Sequence, residues 1–589
     1  MATATATSTE TGSETDEKKK PPRDPAREVV ETVVFVVVLV LLLKLFVTEA
    51  FVIPTGSMAE TLYGYQKVIT CPKCGHGFPV NSHDEVEGAA PQGNPNGRKV
   101  PTKLTKFVCP NCRHHGMISD LNPWPENNSG DRVLVLKPLY HVTSPRRGDV
   151  VVFKFPEGPQ QAHTAQNYIK RAMGFGNETI AINGGDLFVT TSLAYPETDP
   201  RFPRPADPND LWRGNPDKGP DYRYRNSAHA TELFARSRAA GFPVGVGGFE
   251  MVRKGEDHLL ADMRLVWDND KQPAELAGKV PPRWYAPAGG WNSDKAQSRA
   301  FAHTGGALDW VRYRHLPMQW KTAPADQVDQ TPATELKALA EQPPSYVDNF
   351  LGYNASRPSD SAEAMWVGDL ILECEATVAA DGEVVLELSK GVNRFQATFG
   401  GGQVTLKRIG AKGAEFGTPA KPCKVTAGTY KLRFANVDAR LSVWVDDKRI
   451  DFGAAADYSP AEPDRYEPQD TQKEGWTKAN DIDAPASIGA KGAVTVDHIK
   501  LSRDIYYTWG RGKSGDQTQA DTFYVQPGHY MCMGDNSAYS SDSREWGVVP
   551  ERLMLGKAVF VFFPVALDWQ FGWPLVRFNP LKNRVGFIK

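Results

Sequence analysis

The chain has 589 residues, with 68 Lys and Arg against 70 Asp and Glu and a formal net charge of -2. This length exceeds what one hydrophobic core organises, so we expect several domains, and the composition excludes a largely disordered chain or a transporter with many membrane spans. The balanced charge provides no basic field, so no nucleic-acid partner is predicted. The 52 Gly and 45 Pro residues indicate a loop-rich, mainly β protein.

The first segment that departs from this average is a long apolar run. Residues 1–28 are polar and charged, and we expect a disordered cytoplasmic tail there. Residues 29–48 are almost entirely Val, Leu and Phe, and a helix of this length spans about 30 Å, the thickness of the hydrocarbon core of a bilayer. We therefore predict a transmembrane helix over 29–48. A cleaved signal peptide is the alternative, but its apolar core is shorter and begins closer to the N-terminus.

The charges around this run predict its orientation. Five Lys and Arg residues precede it, and after Lys44 the next basic residue is Lys67. An excess of Lys and Arg marks the cytoplasmic side, so we expect a single-pass protein of the cytoplasmic (inner) membrane with its N-terminus inside. The folded part would then lie on the exoplasmic or periplasmic side, in contact with membrane lipid.

A serine follows in a turn that presents its side chain. Pro54 and Gly56 favour a fixed, non-helical backbone around Ser57. A hydroxyl becomes nucleophilic at neutral pH only when a neighbouring base removes its proton, and no motif marks one of the 12 His as that base. Ser57 is therefore a candidate nucleophile, with an ordinary turn serine as the alternative.

A candidate base lies in the segment Asn167–Glu178, after two turn-and-strand units rich in Val and Phe. If this segment is a strand, Tyr168, Lys170 and Ala172 share one face. Most strand lysines point into solvent. If apolar side chains cover this face instead, desolvation lowers the pKa of the Lys170 ammonium and yields a neutral amine that can act as a general base.

The last motif is the loop Met533–Gly547, which is dense in Asp, Asn and Ser and alone is typical of Asx and Ser turns. The whole order of motifs is more specific: an apolar N-terminal run, a Ser-Met box, a Gly-Asp-Arg strand, an Arg-Gly-Asp strand leading to Lys-Arg, and a Gly-Asp-Asn…Ser-x-Asp-Ser-Arg box. This order closely resembles the bacterial type I signal peptidase (leader peptidase) family, which uses a Ser/Lys dyad. The resemblance covers roughly residues 29–68, 130–190 and 503–563.

The resemblance implies a role for each residue of these boxes. Ser57 would be the nucleophile and Lys170 the general base, which Ser540 would orient through a hydrogen bond. Asp542 and Arg544 would form a structural ion pair, and the Ser57 N–H with the Thr55 hydroxyl would form an oxyanion hole. The implied reaction is cleavage of signal peptides from exported preproteins after a small-x-small sequence, through an acyl-enzyme and without a catalytic cofactor.

Two departures from the family pattern concern prolines. The segments Met58–Leu62 and Gly174–Glu178 each lack a proline that the family usually has. Both changes affect turn rigidity and remove no catalytic group, so we expect an active enzyme. A catalytically decayed, membrane-tethered binding protein is the alternative. A cytosolic self-cleaving repressor with the same dyad would lack the apolar run and would carry a DNA-reading domain.

Two Cys-x-x-Cys pairs, Cys71/Cys74 and Cys109/Cys112, lie in the first insertion into this pattern. Each has Pro after its first Cys, and four such thiolates suit a tetrahedral structural zinc ion in a zinc-ribbon-like module. The nearby histidines could serve as backup ligands: His76, His83, His114 and His115. Two disulfides are the alternative, because exoplasmic cysteines tend to be oxidised.

A second insertion separates the segment Asn167–Glu178, which we call the Lys box, from the loop Met533–Gly547, which we call the last box. Its later part has short strands at regular intervals with Gly or Asp turns between them, which predicts an antiparallel β-sandwich similar to jelly-roll or laminin-G folds, with carbohydrate or protein as its ligand. The predicted fold class is thus mainly β, with a β catalytic core carrying two inserted modules. The predicted boundaries are 49–70, 130–195 and 504–589 for the core, 71–129 for the zinc-ribbon-like module, 196–363 for a Pro/Gly-rich insertion and 364–503 for the sandwich.

Overall fold

A computed structural model describes fifteen segments of the chain. They are residues 25–88, 99–155, 166–193, 225–287, 289–292, 298–317, 320–321, 333–354, 365–410, 416–460, 478–509, 519–562, 565–570, 573–578 and 586–588. The predicted disordered tail lies outside these residues up to position 24, and so does the first part of the predicted Pro/Gly-rich insertion, up to position 224. The chain divides into two units, Met1–Glu49 and Ala50–Lys589.

The first unit contains the apolar run. An α-helix covers Pro25–Leu42 and includes three charged residues near its start, and a π-helical segment follows at Leu43–Val47. The chain then becomes extended in the strand Thr48–Val52. Within the described residues, no helix is both long and apolar enough to cross a membrane. The prediction of a transmembrane helix over 29–48 is therefore not supported, because the apolar run is divided among three elements and the α-helix starts in charged residues.

The remaining helices of the described chain are short. The α-helices are His83–Val86, Leu139–Val142, Ala228–Ala239, Glu256–Ala261, Ala333–Glu341, Lys478–Asp481 and Ser543–Trp546. The 3-10 turns are Gly56–Met58, Ile118–Asp120, Ala274–Leu276, Gly352–Asn354, Gly453–Ala456, Ser537–Tyr539 and Glu551–Leu553. Because strands make up most of the described secondary structure, the prediction of a mainly β fold is confirmed.

An eight-stranded sheet, the core sheet, carries the motifs of the Lys box and the last box. Its strands in spatial order are Thr48–Val52, Arg132–Leu136, Met554–Val561, Val150–Phe155, Gln166–Phe175, His529–Met533 and Val549–Pro550, with Gly586–Phe587 beside Met554–Val561. Gln166–Phe175 is a central strand, and its second half is buried on both faces. The side chains of Arg132–Leu136 instead alternate between buried and half-buried, because this strand lies near the sheet edge.

A four-stranded sheet brings together distant parts of the chain. Its order is Glu250–Met251, Asp186–Thr190, Thr179–Asn183 and Asp521–Tyr524. The first of these strands comes from the predicted second insertion, and the last comes from the C-terminal part of the predicted core. The insertion therefore extends a sheet of the core.

Two further eight-stranded sheets account for most of the second insertion. The first contains Trp291–Asn292, Phe301–His303, Val494–Arg503, Leu370–Val378, Gly428–Val437, Arg440–Val445 and Lys448–Ile450, with Arg264–Asp268 beside Val494–Arg503. The second contains Trp284–Tyr285, Asp309–Tyr313, Ala486–Lys491, Glu383–Lys390, Asn393–Gly400, Gln403–Ile409 and Phe416–Gly417, with Lys421–Pro422 beside Gln403–Ile409.

One hydrophobic cluster includes side chains from both of these sheets, such as Leu372 and Phe434 from the first and Leu386 and Phe395 from the second. The alternation of buried and half-buried side chains along Asn393–Gly400 explains why one face of each strand can contribute to that cluster. Strands between residues 264 and 313 join both sheets, so this part of the predicted Pro/Gly-rich insertion contributes to the two-sheet structure.

Three small sheets complete the fold. The first two surround the paired cysteines, and the third is a hairpin near the C-terminus. Their strands are Trp320–Lys321, His114–Met117 and Lys106–Val108; Gly77–Asn81, Gln66–Thr70 and Asn127–Asn128; and Val565–Gln570 and Trp573–Phe578.

Candidate active site

Ser57 lies in a single 3-10 turn, Gly56–Met58, that follows the extended residue Thr55. The turn closes through the N–H of Ala59, which donates to the carbonyl of Gly56 at 3.1 Å. Met58 is fully buried beneath it in a cluster with Ile53 and other apolar side chains, whereas Ser57 is half-buried. Because the first N–H groups of a helical turn have no acceptor within that turn, the N–H of Ser57 can serve an external acceptor.

Lys170 meets this serine from the middle of the core sheet. In the strand Gln166–Phe175 it is paired with Val151 of the neighbouring strand. Its Nζ lies 2.7 Å from Ser57 Oγ and donates a second hydrogen bond of 3.0 Å to the carbonyl of Ile169. The two residues are 113 positions apart in the sequence, and the fold brings them into direct hydrogen-bonding contact.

The environment of Lys170 favours its neutral form. The residue is 3% exposed, and burial lowers the pKa of its ammonium group to about 8. The carboxylates of Asp542 and Asp535 act in the opposite direction, and Arg544 lowers the pKa further. Desolvation is the largest of these effects, because a charged group buried among apolar side chains loses its hydration.

The apolar cover consists of side chains from several strands. One buried cluster on this face of the core sheet contains Val151, Phe153, Ala172, Tyr530, Cys532 and Val549, with Tyr168 and Trp546 packed against it. Tyr168 and Trp546 contact each other and Phe153 through their rings. The covered face that would lower the pKa of a strand lysine is therefore present around Lys170.

Asp542 and Arg544 form a fully buried ion pair. Arg544 donates from Nε to Asp542 Oδ1 at 2.8 Å and from an Nη to Asp542 Oδ2 at 2.6 Å. The remaining guanidinium hydrogens bind Ser537 and the carbonyl of Thr508. Asp542 also accepts from the N–H of Gly534 at 2.9 Å. The pair thereby closes the last box into a compact loop beside Ser57 and Lys170.

Ser540 and Thr55 lie near the dyad without the contacts expected of them. Ser540 is fully buried, and no hydrogen bond joins its hydroxyl to Lys170 in the described part of the chain. A Cβ on Gly534 would collide with Ser540 Oγ and with the carbonyl oxygen of Ser57, so glycine is required at this close approach. Thr55 is exposed, directly before the turn. The orienting role of Ser540 and the oxyanion role of Thr55 stay predictions.

A second buried ion pair was missed in the sequence. Arg171, the neighbour of Lys170, donates to Asp535 Oδ1 at 2.9 Å and to Oδ2 at 2.6 Å, and both side chains are almost fully buried. Asp262, from the second insertion, lies 3.7 Å from the same guanidinium. Both residues stand in motifs that the sequence analysis identified, Arg171 in the Lys-Arg motif and Asp535 in the Gly-Asp-Asn motif. No feature of the local sequence shows that these two residues pair.

Two segments of the chain match a family model. Residues 114–205 and 443–563 match the family model described as signal peptidase, peptidase S26. The matched segments contain Lys170, Ser540, Asp542 and Arg544, and Ser57 precedes them. These two segments are similar to signal peptidases, as are the curated proteins that the chain matches.

Individual signal peptidases align over short stretches. Signal peptidase I of Leptolyngbya laminosa is 37% identical over 67 residues, which are 11% of this chain and 33% of that protein. Signal peptidase I of Haemophilus influenzae is 38% identical over 63 residues, which are 10% of this chain and 18% of that protein. The chain thus spans a third or less of the length of these curated relatives.

Solved structures resemble this chain only weakly. The carbohydrate-binding module CBM66 from Bacillus subtilis is 8% identical, with a TM-score of 0.20, covering 38% of this chain and 96% of that module. This likeness carries no argument about a ligand. The comparisons therefore do not support the predicted carbohydrate or protein ligand of the β-sandwich or the predicted contact with lipid.

The four paired cysteines of this chain converge on one point. The Sγ atoms of Cys71, Cys74, Cys109 and Cys112 all lie within 4.8 Å of one another. The separations Cys71–Cys112 and Cys74–Cys109 are both 3.6 Å. Four sulfurs placed about 2.3 Å from a central zinc ion would be about 3.8 Å apart, whereas a disulfide bond is about 2.05 Å long. The donor set and its spacing fit a tetrahedral metal ion.

The two halves of this cluster have the same backbone geometry. In the first, the N–H of Gly75 donates to the carbonyl of Cys71, and in the second the N–H of Arg113 donates to that of Cys109. Gly75 and Arg113 both have positive φ, +71° and +60°. Each half is therefore a tight turn that aims two thiols at the same point.

The other predicted ligands and pairings are not used. In the described part of the chain, the group of possible metal ligands at this point contains the four cysteines and no histidine. His83 instead forms a hydrogen bond of 2.9 Å with the carbonyl oxygen of Pro54. All seven cysteines are free thiols, so the alternative of two disulfides among these four is not seen. Burial raises the pKa of the Cys109 and Cys112 thiols, so a cation would be needed to hold them as thiolates.

The Arg171–Asp535 pair leads to a stability prediction. Asp535→Leu leaves the Arg171 charge buried without its main partner, and we expect the free energy of unfolding to fall by about 3–5 kcal/mol. The control is Glu341→Leu, because the Glu341 side chain is 68% exposed in its ion pair with Lys337 and its loss should cost about 0–1 kcal/mol. Urea unfolding of the three proteins measures the difference, and an equal, small effect of both substitutions would contradict the prediction.

Proposed function

We propose that this chain is a serine endopeptidase that cleaves signal peptides from preproteins, with Ser57 as nucleophile and Lys170 as general base. The observation that carries the proposal is the 2.7 Å contact between Lys170 Nζ and Ser57 Oγ, made by a lysine whose pKa burial lowers to about 8. The similarity of two segments of the chain to signal peptidases supports the reaction type. The intact contact also favours a working enzyme over a decayed binding protein.

The first half of the reaction forms an acyl-enzyme. Neutral Lys170 accepts the Ser57 proton while Ser57 Oγ attacks the carbonyl carbon of the scissile peptide bond. The carbonyl oxygen becomes an oxyanion, to which the N–H of Ser57 and the Thr55 hydroxyl could donate. Protonated Lys170 then gives its proton to the departing amine, and the C–N bond breaks.

The second half releases the signal peptide. A water molecule replaces the amine, Lys170 removes one of its protons, and the resulting hydroxide attacks the ester carbonyl. The Lys170 proton returns to Ser57 Oγ as the ester bond breaks, which restores the dyad. A pKa of about 8 suits both steps, because at neutral pH about a tenth of the lysine is already a base and its ammonium form is a competent acid.

A membrane surface is the location that this substrate class favours. A signal peptide has an apolar core of about 7–15 residues, which partitions into lipid. The helix Pro25–Leu42 has exposed apolar side chains along its length, including Val34, Phe35 and Leu41, which supports an association with lipid. Cleavage on the exoplasmic side of the membrane is part of the same proposal.

We also propose that the four cysteines hold a structural zinc ion. The closed set of four thiol donors leaves no open position for a substrate or water, which supports a structural rather than a catalytic role. The ion would join the two turns that carry Cys71/Cys74 and Cys109/Cys112, each of which is too small to form a core of its own.

The dyad is tested by removing either member. Ser57→Ala removes the attacking oxygen and Lys170→Ala removes the base, so we expect each to lower preprotein cleavage by at least about 10³-fold, judged by release of mature protein on gels. Both variants should fold, since neither side chain is an anchor of the core. Lys337→Ala is the matched control, because Lys337 is 76% exposed. Full activity of Lys170→Ala would rule out the dyad.

The pKa of Lys170 predicts the pH dependence of cleavage. The base form exists above the pKa, so kcat/KM should rise with pH, with a midpoint near pH 8, and level off above it. The profile is measured with a peptide substrate between pH 6 and 10. A rate that is independent of pH across this range would show that no group with this pKa acts as the base.

The zinc site is tested by metal analysis and substitution. The purified protein should contain about one zinc ion per chain, and Cys109→Ser should lose it, because three ligands bind zinc far more weakly than four. Cys423→Ser is the matched control, since Cys423 lies outside the cluster and should leave the zinc content unchanged. Absence of zinc from the wild-type protein, with all thiols reactive, would refute the site.

A further inference from the structure

A short segment of the second insertion reaches the nucleophile turn. We call residues Asp348–Asn354 the strap. It ends in the 3-10 turn Gly352–Asn354, all three of whose residues are buried. The strap lies outside the parts of the chain that carry the signal peptidase motifs. Its contacts nevertheless join the second cysteine turn to the turn that contains Ser57.

At the Ser57 end, two asparagines form a closed amide pair. Asn354 Nδ2 donates to Asn536 Oδ1 at 2.8 Å, and Asn536 Nδ2 donates to Asn354 Oδ1 at 2.8 Å. Both side chains are buried, Asn354 at 7% exposure and Asn536 at 3%. Because each amide serves as donor and acceptor at once, the pair fixes the orientation of each amide relative to the other.

Asn536 in turn holds the nucleophile turn by two hydrogen bonds. Its Nδ2 donates to the carbonyl of Gly56 at 2.9 Å, and its backbone N–H donates to the carbonyl of Ser57 at 3.1 Å. If the Asn536 amide were reversed, its oxygen would face the Gly56 carbonyl oxygen and repel it. Asn354 adds to this preference, because a reversal of Asn536 alone would also place its oxygen against Asn354 Oδ1.

The ring of Tyr353 supports the same turn by packing. Tyr353 is almost fully buried against Ala59 and Tyr63, and the ring centroids of Tyr63 and Tyr353 are 5.3 Å apart. A Cβ on Gly56 would collide with the Tyr353 ring, so the turn lies directly on it. The strap thus limits movement of the Ser57 turn through both a hydrogen-bonded pair and an aromatic wall.

The other end of the strap is attached to the second cysteine turn. Arg113, the positive-φ residue that follows Cys112, donates to Asp348 Oδ1 at 2.8 Å. Its guanidinium lies 3.8 Å from the centroid of the Phe350 ring. Both charged partners are mostly buried, which makes the attachment more rigid than a surface ion pair.

We propose that Asn354 is a positioning residue for the nucleophile: acting through Asn536, it holds the Gly56–Met58 turn so that Ser57 Oγ stays within hydrogen-bonding distance of Lys170 Nζ. The inference rests on the proposed function and extends the reactive site into the insertion. A displacement of about 1 Å at a reacting atom can reduce a rate by about 10²-fold, so a hydrogen bond that acts through another residue can affect kcat strongly.

The test measures kcat and KM separately for Asn354→Ala, Asn354→Asp and Asn349→Ala. Asn354→Ala removes the pair, and Asn354→Asp keeps its shape but cannot donate to Asn536 Oδ1. We expect both to lower kcat by about 10-fold to 100-fold and to change KM by less than about 2-fold. Asn349 is the matched control in the same strap, since its Oδ1 accepts from the N–H of Met365, and Asn349→Ala should retain the wild-type kcat.

A double-mutant cycle separates positioning from a general structural effect. If Asn354 acts through Asn536, the double variant Asn354→Ala/Asn536→Ala should lose no more activity than Asn536→Ala alone. Additive losses, or equal losses in Asn354→Ala and Asn349→Ala, would overturn the inference. So would a wild-type kcat in both Asn354 variants. Wild-type protein that fails to cleave preprotein would instead refute the proposed function, so the two failures are distinguishable.

Discussion

The burial of one ammonium group is the constraint on which this site depends. Lys170 can act as a base only if desolvation outweighs the carboxylates around it, and Asp542 and Asp535 both favour its charged form. Each of these carboxylates is bound by its own buried arginine, Arg544 or Arg171. The two ion pairs therefore do more than hold loops: they neutralise the negative charges that would otherwise keep the lysine protonated.

These pairs also explain why the last box is so compact. A buried ion pair adds little net stability, because the desolvation of both charges offsets their attraction, but it strongly disfavours any arrangement that separates them. Arg544 binds Ser537 and Thr508 as well as Asp542, and the Gly534 N–H binds Asp542. Geometry is thus specified by a dense set of hydrogen bonds to buried charges, and Gly534 allows the loop to approach the Ser57 carbonyl.

The insertions are structurally continuous with the core. The strand Glu250–Met251 extends a core sheet, Asp262 approaches the Arg171–Asp535 pair, and the strap reaches the Ser57 turn. The second cysteine turn contacts the strap through Arg113. A contiguous path of hydrogen bonds and packed rings therefore runs from the cysteine cluster to the nucleophile, across segments that are hundreds of residues apart in sequence.

The sequence by itself determined the mainly β character and predicted the similarity to signal peptidases, the candidate dyad and the grouping of the four cysteines, because each depends on short motifs or local composition. The prediction of one continuous helix over the apolar run was too long, since composition does not reveal where a helix begins and ends. Only the tertiary structure decided the Arg171–Asp535 pair, whose members are 364 positions apart, and the Asn354–Asn536 pair, which no motif announces. The tertiary structure also decided the pKa of Lys170, because desolvation depends on side chains from several strands that meet only in the folded protein.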